Sequence, residues 1–196
     1  MKKILVLLAH PKYEKSRANQ ALIGAISDLP GLTIRDLYEL YPDFNIDVAA
    51  EQAALQAHDL VVWHHPIYWY SCPPLLKQWI DLVLEVGWAY GKGGEQLKSK
   101  WIFNAVTSGG SREVYQVDGR NRFTLRQFLA PFEQTAWLCH MRYLPPFAVQ
   151  GTHRLNDAAL LDEAETFRQR LQALQTIPDN VLDQVQKLEY LNDWEL

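Results

Sequence analysis

Lys3-Ile4-Leu5-Val6-Leu7-Leu8-Ala9-His10-Pro11-Lys12-Tyr13-Glu14-Lys15-Ser16-Arg17-Ala18-Asn19 opens the chain, and its reading decides the fold. The unbroken aliphatic run from Ile4 to Leu8 has no polar alternation, so it reads as a strand buried on both faces. It is too short for a signal peptide or a membrane-spanning helix. The polar stretch after it ends at Ser16, where a helix over Arg17 to Asp28 begins with Ala21, Leu22, Ala25 and Ile26 facing inward. A doubly buried strand feeding an amphipathic helix is the first half of a βαβ unit.

The alternation continues outward from that unit. Leu32 to Leu37 reads as a second strand, and Asp47 is placed to cap a helix reaching about His58. Leu60 to Trp63 reads as a third strand, and Pro73-Pro74 suits the first turn of a helix running to about Val86. Trp101 to Val106 is a fourth strand and Thr124 to Ala136 a helix. Leu138 to Val149 holds a fifth strand interrupted at Pro145-Pro146. Asn156 then caps a helix carrying Leu160, Ala164, Phe167, Leu171 and Leu174 on one stripe. Five strands alternating with helices predict an α/β fold, a doubly wound parallel sheet with helices on both faces. Such sheets bind ligands beyond the carboxyl ends of their strands, at the switch point. The helix after Pro73 carries two apolar stripes, Leu76-Ile80-Val83 and Leu75-Trp79-Leu82-Val86. A sheet covers one, so the second points to a homodimer, unless neighbouring loops cover it.

The 196 residues suit one domain, and a 48% hydrophobic content fills a core. The formal net charge is −4. From Pro178 onward five acids (Asp179, Asp183, Glu189, Asp193, Glu195) face one base, Lys187, so the rest of the chain is formally neutral. A neutral body gives no electrostatic footprint for nucleic acid. The two cysteines, Cys72 and Cys139, exclude a disulfide framework and read as free thiols in a reducing cytosol. His64-His65 raises a metal site, but adjacent residues at a strand end point apart and no acid or thiol completes the set, so none is expected.

Three loops fall at the binding edge. In the first, Ser16 offers a hydroxyl, Arg17 a charge and His10 a ring N–H beside the start of a helix, whose N–H groups suit a phosphate; the other reading is a capped helix with a surface arginine. The second, His65-Pro66-Ile67-Tyr68-Trp69-Tyr70, sets three aromatics together that wall a flat conjugated ring or else fill core. The third, Thr107-Ser108-Gly109-Gly110-Ser111, lets backbone N–H groups approach a ligand, with Tyr115 and Asn121 following. Its phenol suits the charge that develops at N1 and O2 of a reduced flavin, unless the loop is only a connection. A phosphate site, a ring wall and an N1 donor set are together what flavin mononucleotide needs.

These motifs carry a resemblance. His10-Pro11 with Ser16 and Asn19, Leu37 to Phe44, His65 to Tyr70, Pro73 to Lys77, Gly87-Trp88-Ala89-Tyr90-Gly91 and Thr107 to Gly110 are similar to the flavodoxin-like NAD(P)H:quinone oxidoreductases. The likeness runs from about Lys3 to Leu174, and is nearest to the short bacterial ancillary subunits of glutathione-gated potassium efflux systems. The resemblance implies a flavodoxin-like fold and flavin contacts at His10, at Ser16, Arg17, Ala18 and Asn19, at Ile67, Tyr68, Trp69 and Tyr70, and at Thr107, Ser108, Gly109 and Gly110. It implies a catalytic role for Tyr115, with Asn121 where longer relatives place a histidine. It implies FMN as cofactor, FAD being the larger alternative, NAD(P)H as donor, and a quinone or similar electrophile as acceptor. An efflux membrane protein is the implied partner, reached from the cytoplasm, at the inner face of the membrane.

Residues 1–177 therefore read as the flavin-binding unit and 178–196 as an acidic amphipathic tail, with Val181, Val185, Leu188 and Leu191 at helical spacing and Trp194 beyond. The tail either docks on a partner or packs on its own body. Because the three loops account for the whole FMN site, the docking reading predicts that deleting the tail leaves flavin content unchanged.

Overall fold

Ile4–Leu8 (β1) lies inside a parallel sheet, with Leu32–Asp36 (β2) on one side and Leu60–Pro66 (β3) on the other. The computed structural model describes residues 1–196. Trp101–Ser108 (β4) follows β3, and its outer edge is shared by two short strands, Arg142–Tyr143 (β5) and Phe147–Gln150 (β6). The order is β2-β1-β3-β4-β5, with β6 also on β4. The single interrupted fifth strand is thus two pieces, because Pro145 and Pro146 lack the N–H a ladder needs. The chain reverses its winding between β1 and β3, which makes their carboxyl ends the switch point.

Alternate residues of β1 serve two cores. Ile4, Val6 and Leu8 join Leu22 and Ile26 of Arg17–Ile26 (α1) and Phe167 of Asp157–Thr176 (α6). Leu5, Leu7 and Ala9 join the other face, under Leu55 of Val48–Ala57 (α3), Trp79 of Pro74–Val83 (α4) and Phe132 of Leu125–Leu138 (α5). For numbering in chain order, the single turn Leu37–Leu40 is α2 and Asp179–Val185 is α7. The caps are local: Ser16, Asp47, Thr124 and Asn156 each accept a backbone N–H from three residues on. Thr124 and Gln127 form a reciprocal capping box.

Glu51 of α3 is 0% exposed. An unpaired carboxylate there would cost several kcal/mol. Instead Oε1 accepts from Arg35 Nε at 2.8 Å and Tyr41 hydroxyl at 2.6 Å, and Oε2 accepts from Trp79 Nε1 at 2.8 Å. This ties α3 to β2 and α4. It also changes the reading of α4. Leu75, Leu76, Trp79 and Val83 share one wide buried face, so of the large hydrophobics only Leu82, and Val86 in the turn beyond, are well exposed. The helix ends at Val83, where Leu84 (ψ 69°) leaves the helical region, and Gly87 (φ 82°) and Gly91 (φ 75°) shape the turn that follows.

The tail folds back. Leu182, Val185, Leu191 and Trp194 are buried with the α1–α6 core, and Tyr190 with the other. Asn192 bonds both the N–H and the C=O of Ala148, closing the outer edge of β6. Arg142 pairs with Asp179 and Asp183 and lies over the Trp101 ring. Lys2 pairs with Asp179. The acidic excess of the tail therefore meets cations of the body. Of Val185, Leu188 and Trp194, read from sequence as docking hydrophobes, Val185 and Trp194 are buried and Leu188 is half-buried against the same core, because burying them there is the larger gain.

Candidate functional site

The carboxyl end of β1 delivers His10, and the helix N-terminus that follows delivers Ser16, Arg17, Ala18 and Asn19. They surround a cavity of about 410 Å³ beside Pro66, Ile67 and Tyr68 from β3 and its loop, and Thr107, Ser108 and Gly109 from β4. Thr107 and Ser108 are the last residues of β4, not loop. β3 likewise runs on to Pro66, because His64 and His65 point to opposite cores and are both fully buried. The cavity sits at the β1–β3 switch point.

Asn19 organises its floor. The amide is 1% exposed. Its Nδ2 donates to Ser16 Oγ at 2.8 Å and to Thr107 Oγ1 at 3.1 Å, and its Oδ1 accepts from His64 Nε2 at 2.8 Å. Since Ser16 and Thr107 both accept there, each keeps its hydroxyl proton for a ligand. Burial pushes the His64 ring down to about 3 and the His65 ring down to about 4, so both are neutral. His65 Nδ1 donates to the Pro66 carbonyl, its Nε2 accepts from Asn104, and Asn104 accepts from the Tyr143 hydroxyl. This chain fixes the strand end behind the cavity.

Burial also lowers the pKa of His10, although Glu14 opposes it. Its Nδ1 accepts from the Lys12 N–H at 3.1 Å, so the ring hydrogen sits on Nε2 as a neutral donor. Arg17 lines the cavity but is already engaged: its guanidinium contacts Asp157 at 2.5 Å and the Leu155 carbonyl at 3.3 Å. Lys12 and Lys15 also line the cavity, and neither has a carboxylate partner.

The three aromatics separate. Tyr68 meets the His10 ring edge-on at 6.0 Å. Tyr70 stacks on Phe128 at 4.9 Å. Trp69 is 94% exposed. Tyr68 and Ser71 exchange two backbone bonds, at 3.1 and 3.0 Å, across a two-residue turn. Trp69 (φ 47°) and Tyr70 (φ 64°) occupy its left-handed positions, where glycine or asparagine is usual. Each costs on the order of 1–2 kcal/mol. The turn leaves the N–H groups of Trp69 and Tyr70 without a backbone partner.

Tyr115 and Asn121 lie outside the cavity wall. Tyr115 is 6% exposed, edge-on to Phe128, with its ring against Gly110, where a Cβ would meet it at 3.0 Å. Burial raises its pKa, so the phenol keeps its proton at neutral pH. Asn121 bonds the Val114 carbonyl through its backbone N–H. Sequence reasoning missed Lys12, Lys15, Pro66, Thr152 and His153 as lining residues. Thr152 and His153 follow β6, and His153 lies against Gly109, where a Cβ would meet it at 2.8 Å. The strand-end rule applied to the fifth strand position as well as the first, third and fourth would have found them.

A family model described as a flavodoxin-like fold, Flavodoxin_2, matches residues 2–171. The glutathione-regulated potassium-efflux system ancillary protein KefF of Klebsiella aerogenes is 48% identical over 168 residues, covering 86% of this chain and 94% of the relative. The solved structure of general stress protein 14 from Treponema denticola, in complex with FMN, is 41% identical. Its TM-score is 0.85, covering 88% of this chain and 99% of that one. A protein from P. pentosaceus named NADPH-quinone reductase is 29% identical with a TM-score of 0.78, covering 85% and 96%.

Proposed function

This chain belongs to the flavodoxin-like fold family Flavodoxin_2, and we propose that it is an FMN-dependent NAD(P)H:quinone oxidoreductase. The carrying observation is the switch-point cavity, with cations and hydroxyl donors around the start of α1 and Tyr68 beside it. FMN, when bound, supplies the two-electron chemistry, taking a hydride from NAD(P)H and passing it to a quinone or similar electrophile. The FMN in the Treponema relative supports this choice over FAD.

The residues divide the labour. The first N–H groups of α1, with Lys12, Lys15 and Arg17, would hold the phosphate. Ser16 and Thr107, kept as donors by Asn19, add two hydroxyls, and His10 a neutral ring N–H. The unpaired N–H groups of Trp69 and Tyr70 would read the polar edge of a flat ring, and Gly109 and Gly110 admit it closely. Tyr115, which keeps its proton beside Gly110, would donate to negative charge on a bound ring. Asn121 can hydrogen-bond but cannot relay a proton at neutral pH.

The test is the absorbance spectrum of purified protein with the released cofactor identified, followed by steady-state assay with NAD(P)H and a soluble quinone. Flavin with parallel double-reciprocal lines is expected. Protein that takes up no flavin on reconstitution would refute the proposal.

A second reading rests on the KefF likeness across 94% of that relative: a flavin-bearing regulator of a potassium efflux protein. The two readings are compatible. No helix is long and apolar enough to cross a membrane, so association would run through the partner. Vesicles carrying the efflux protein should bind the chain where empty vesicles do not. The homodimer rests on less than the two stripes suggested, since Leu82 and Val86 are the only large hydrophobics exposed on that helix and its turn. Sedimentation at micromolar concentration tests it.

A further inference from the structure

The backbone of the loop from Gly109 to Phe123 is hydrogen-bonded almost wholly to itself, and its side-chain anchors are apolar, with Tyr115 and Phe123 edge-on to Phe128. Its backbone bonds, such as Tyr115 N–H to the Arg112 carbonyl and Asn121 N–H to the Val114 carbonyl, are local, apart from Gly151 N–H to the Gly110 carbonyl. Arg112, Glu113, Val117, Arg120 and Arg122 are exposed. Yet this loop carries Gly109, Gly110 and Tyr115. Its one charged tether is Arg112. The guanidinium donates to both oxygens of Asp193, at 3.1 Å each, and to Glu189 Oε2 at 3.0 Å. It also lies 4.5 Å over the Tyr190 ring. All three partners belong to the tail.

The support runs from tail to loop. The tail is anchored without Arg112: Leu191 N–H bonds the Pro146 carbonyl, Asn192 grips Ala148 twice, Arg170 bonds the Leu191 carbonyl, and Arg126 bonds the Leu188 carbonyl. Tyr190 and Tyr115 bury in the same apolar cluster. Planar, bidentate pairing fixes orientation as well as distance, which a single exposed ion pair does not. Residues 178–196 lie beyond the segment matched by the family model, which ends at residue 171.

We propose that Glu189, Tyr190 and Asp193 form an intramolecular brace for the Gly109–Tyr115 loop, with Arg112 the positioning residue through which it acts. The brace sets how tightly the loop holds FMN. The cofactor half of this inference rests on the flavin reading above; the mechanical half does not.

The test compares wild type with the double variant Glu189→Gln/Asp193→Asn and with Arg112→Lys, all leaving the buried tail residues untouched. The first readout is the rate of trypsin cleavage after Arg120 and Arg122 in apo-protein, which needs no flavin. The second is FMN affinity by titration of apo-protein. In the double variant cleavage should speed and affinity fall, each by about fivefold, as expected for losing a charge-assisted network on an exposed loop with few backbone bonds to the rest of the fold. Thermal midpoint should stay near wild type, and Arg112→Lys should fall between. Cleavage and affinity both unchanged in the double variant would overturn the brace. A thermal midpoint falling in step with affinity would reduce the segment to general stability and overturn it too. Wild type that takes up no FMN would overturn the flavin reading and the cofactor half, and the cleavage rates then decide the rest.

Discussion

Replacing Asn19 by alanine should cost stability and cofactor affinity together, and the structure gives the size. The side chain makes three bonds, to Ser16 Oγ, Thr107 Oγ1 and His64 Nε2. Each contributes about 1 kcal/mol net. Ser16 and Thr107 border the cavity, so water can replace the lost donor there. His64 cannot be rescued that way. It is 0% exposed, and its Nδ1 already lacks a partner, so the variant leaves both ring nitrogens orphaned. That orphan costs about 1–3 kcal/mol, for a total of about 2–4 kcal/mol. At about 2–4 °C per kcal/mol in a chain of this length, the melting temperature should drop by about 5–15 °C. The freed hydroxyls must then be reoriented by the ligand, so FMN affinity should fall about tenfold. Thermal unfolding of apo-protein and FMN titration measure the two effects. A midpoint within about 2 °C of wild type with unchanged affinity would refute the argument.

The buried histidines predict acid lability. His64 and His65 sit at about 3 and about 4 when folded, against 6.5 unfolded, so the unfolded chain binds more protons below pH 6.5. Stability is full above that pH and falls as pH drops toward 4, with a slope approaching about 1.4 kcal/mol per unit for each ring; a melting temperature flat from pH 7.5 to 4.5 would contradict this. For phosphate anchoring, Lys15→Ala should weaken FMN binding more than Arg17→Ala, because Asp157 already occupies Arg17. Equal losses in parallel titrations would place the phosphate against Arg17 after all. Tyr115→Phe should slow flavin reduction in stopped flow about tenfold or more while FMN affinity holds, and an unchanged rate would leave Tyr115 a packing residue. Glu51→Ala should cost about 3–5 kcal/mol in urea unfolding, since it strands Arg35 beside Tyr41.

Much of this molecule was legible without coordinates. The strand cores, the caps at Ser16, Asp47 and Asn156, and the interruption at Pro145-Pro146 depend on residues within a few positions of one another. That is the range over which hydrophobic period, capping and proline act. The strand-end rule then placed the loops carrying His10, Tyr68 and Gly109 at one edge. What stayed hidden depended on residues far apart in the chain. Arg17 meets Asp157 across a separation of 140 residues, and Arg112 meets Asp193 across 81. Whether a surface cation is free for a ligand is decided by such partners. The three adjacent aromatics could not be sorted locally either, since Phe128 claims Tyr70 and His10 faces Tyr68. The tail shows the division most clearly. Its helical spacing and acidic charge were plain in the sequence. Only the fold shows that Arg112, Arg142 and Lys2 wait for those acids, and that a buried core rather than a partner takes Leu182, Leu191 and Trp194.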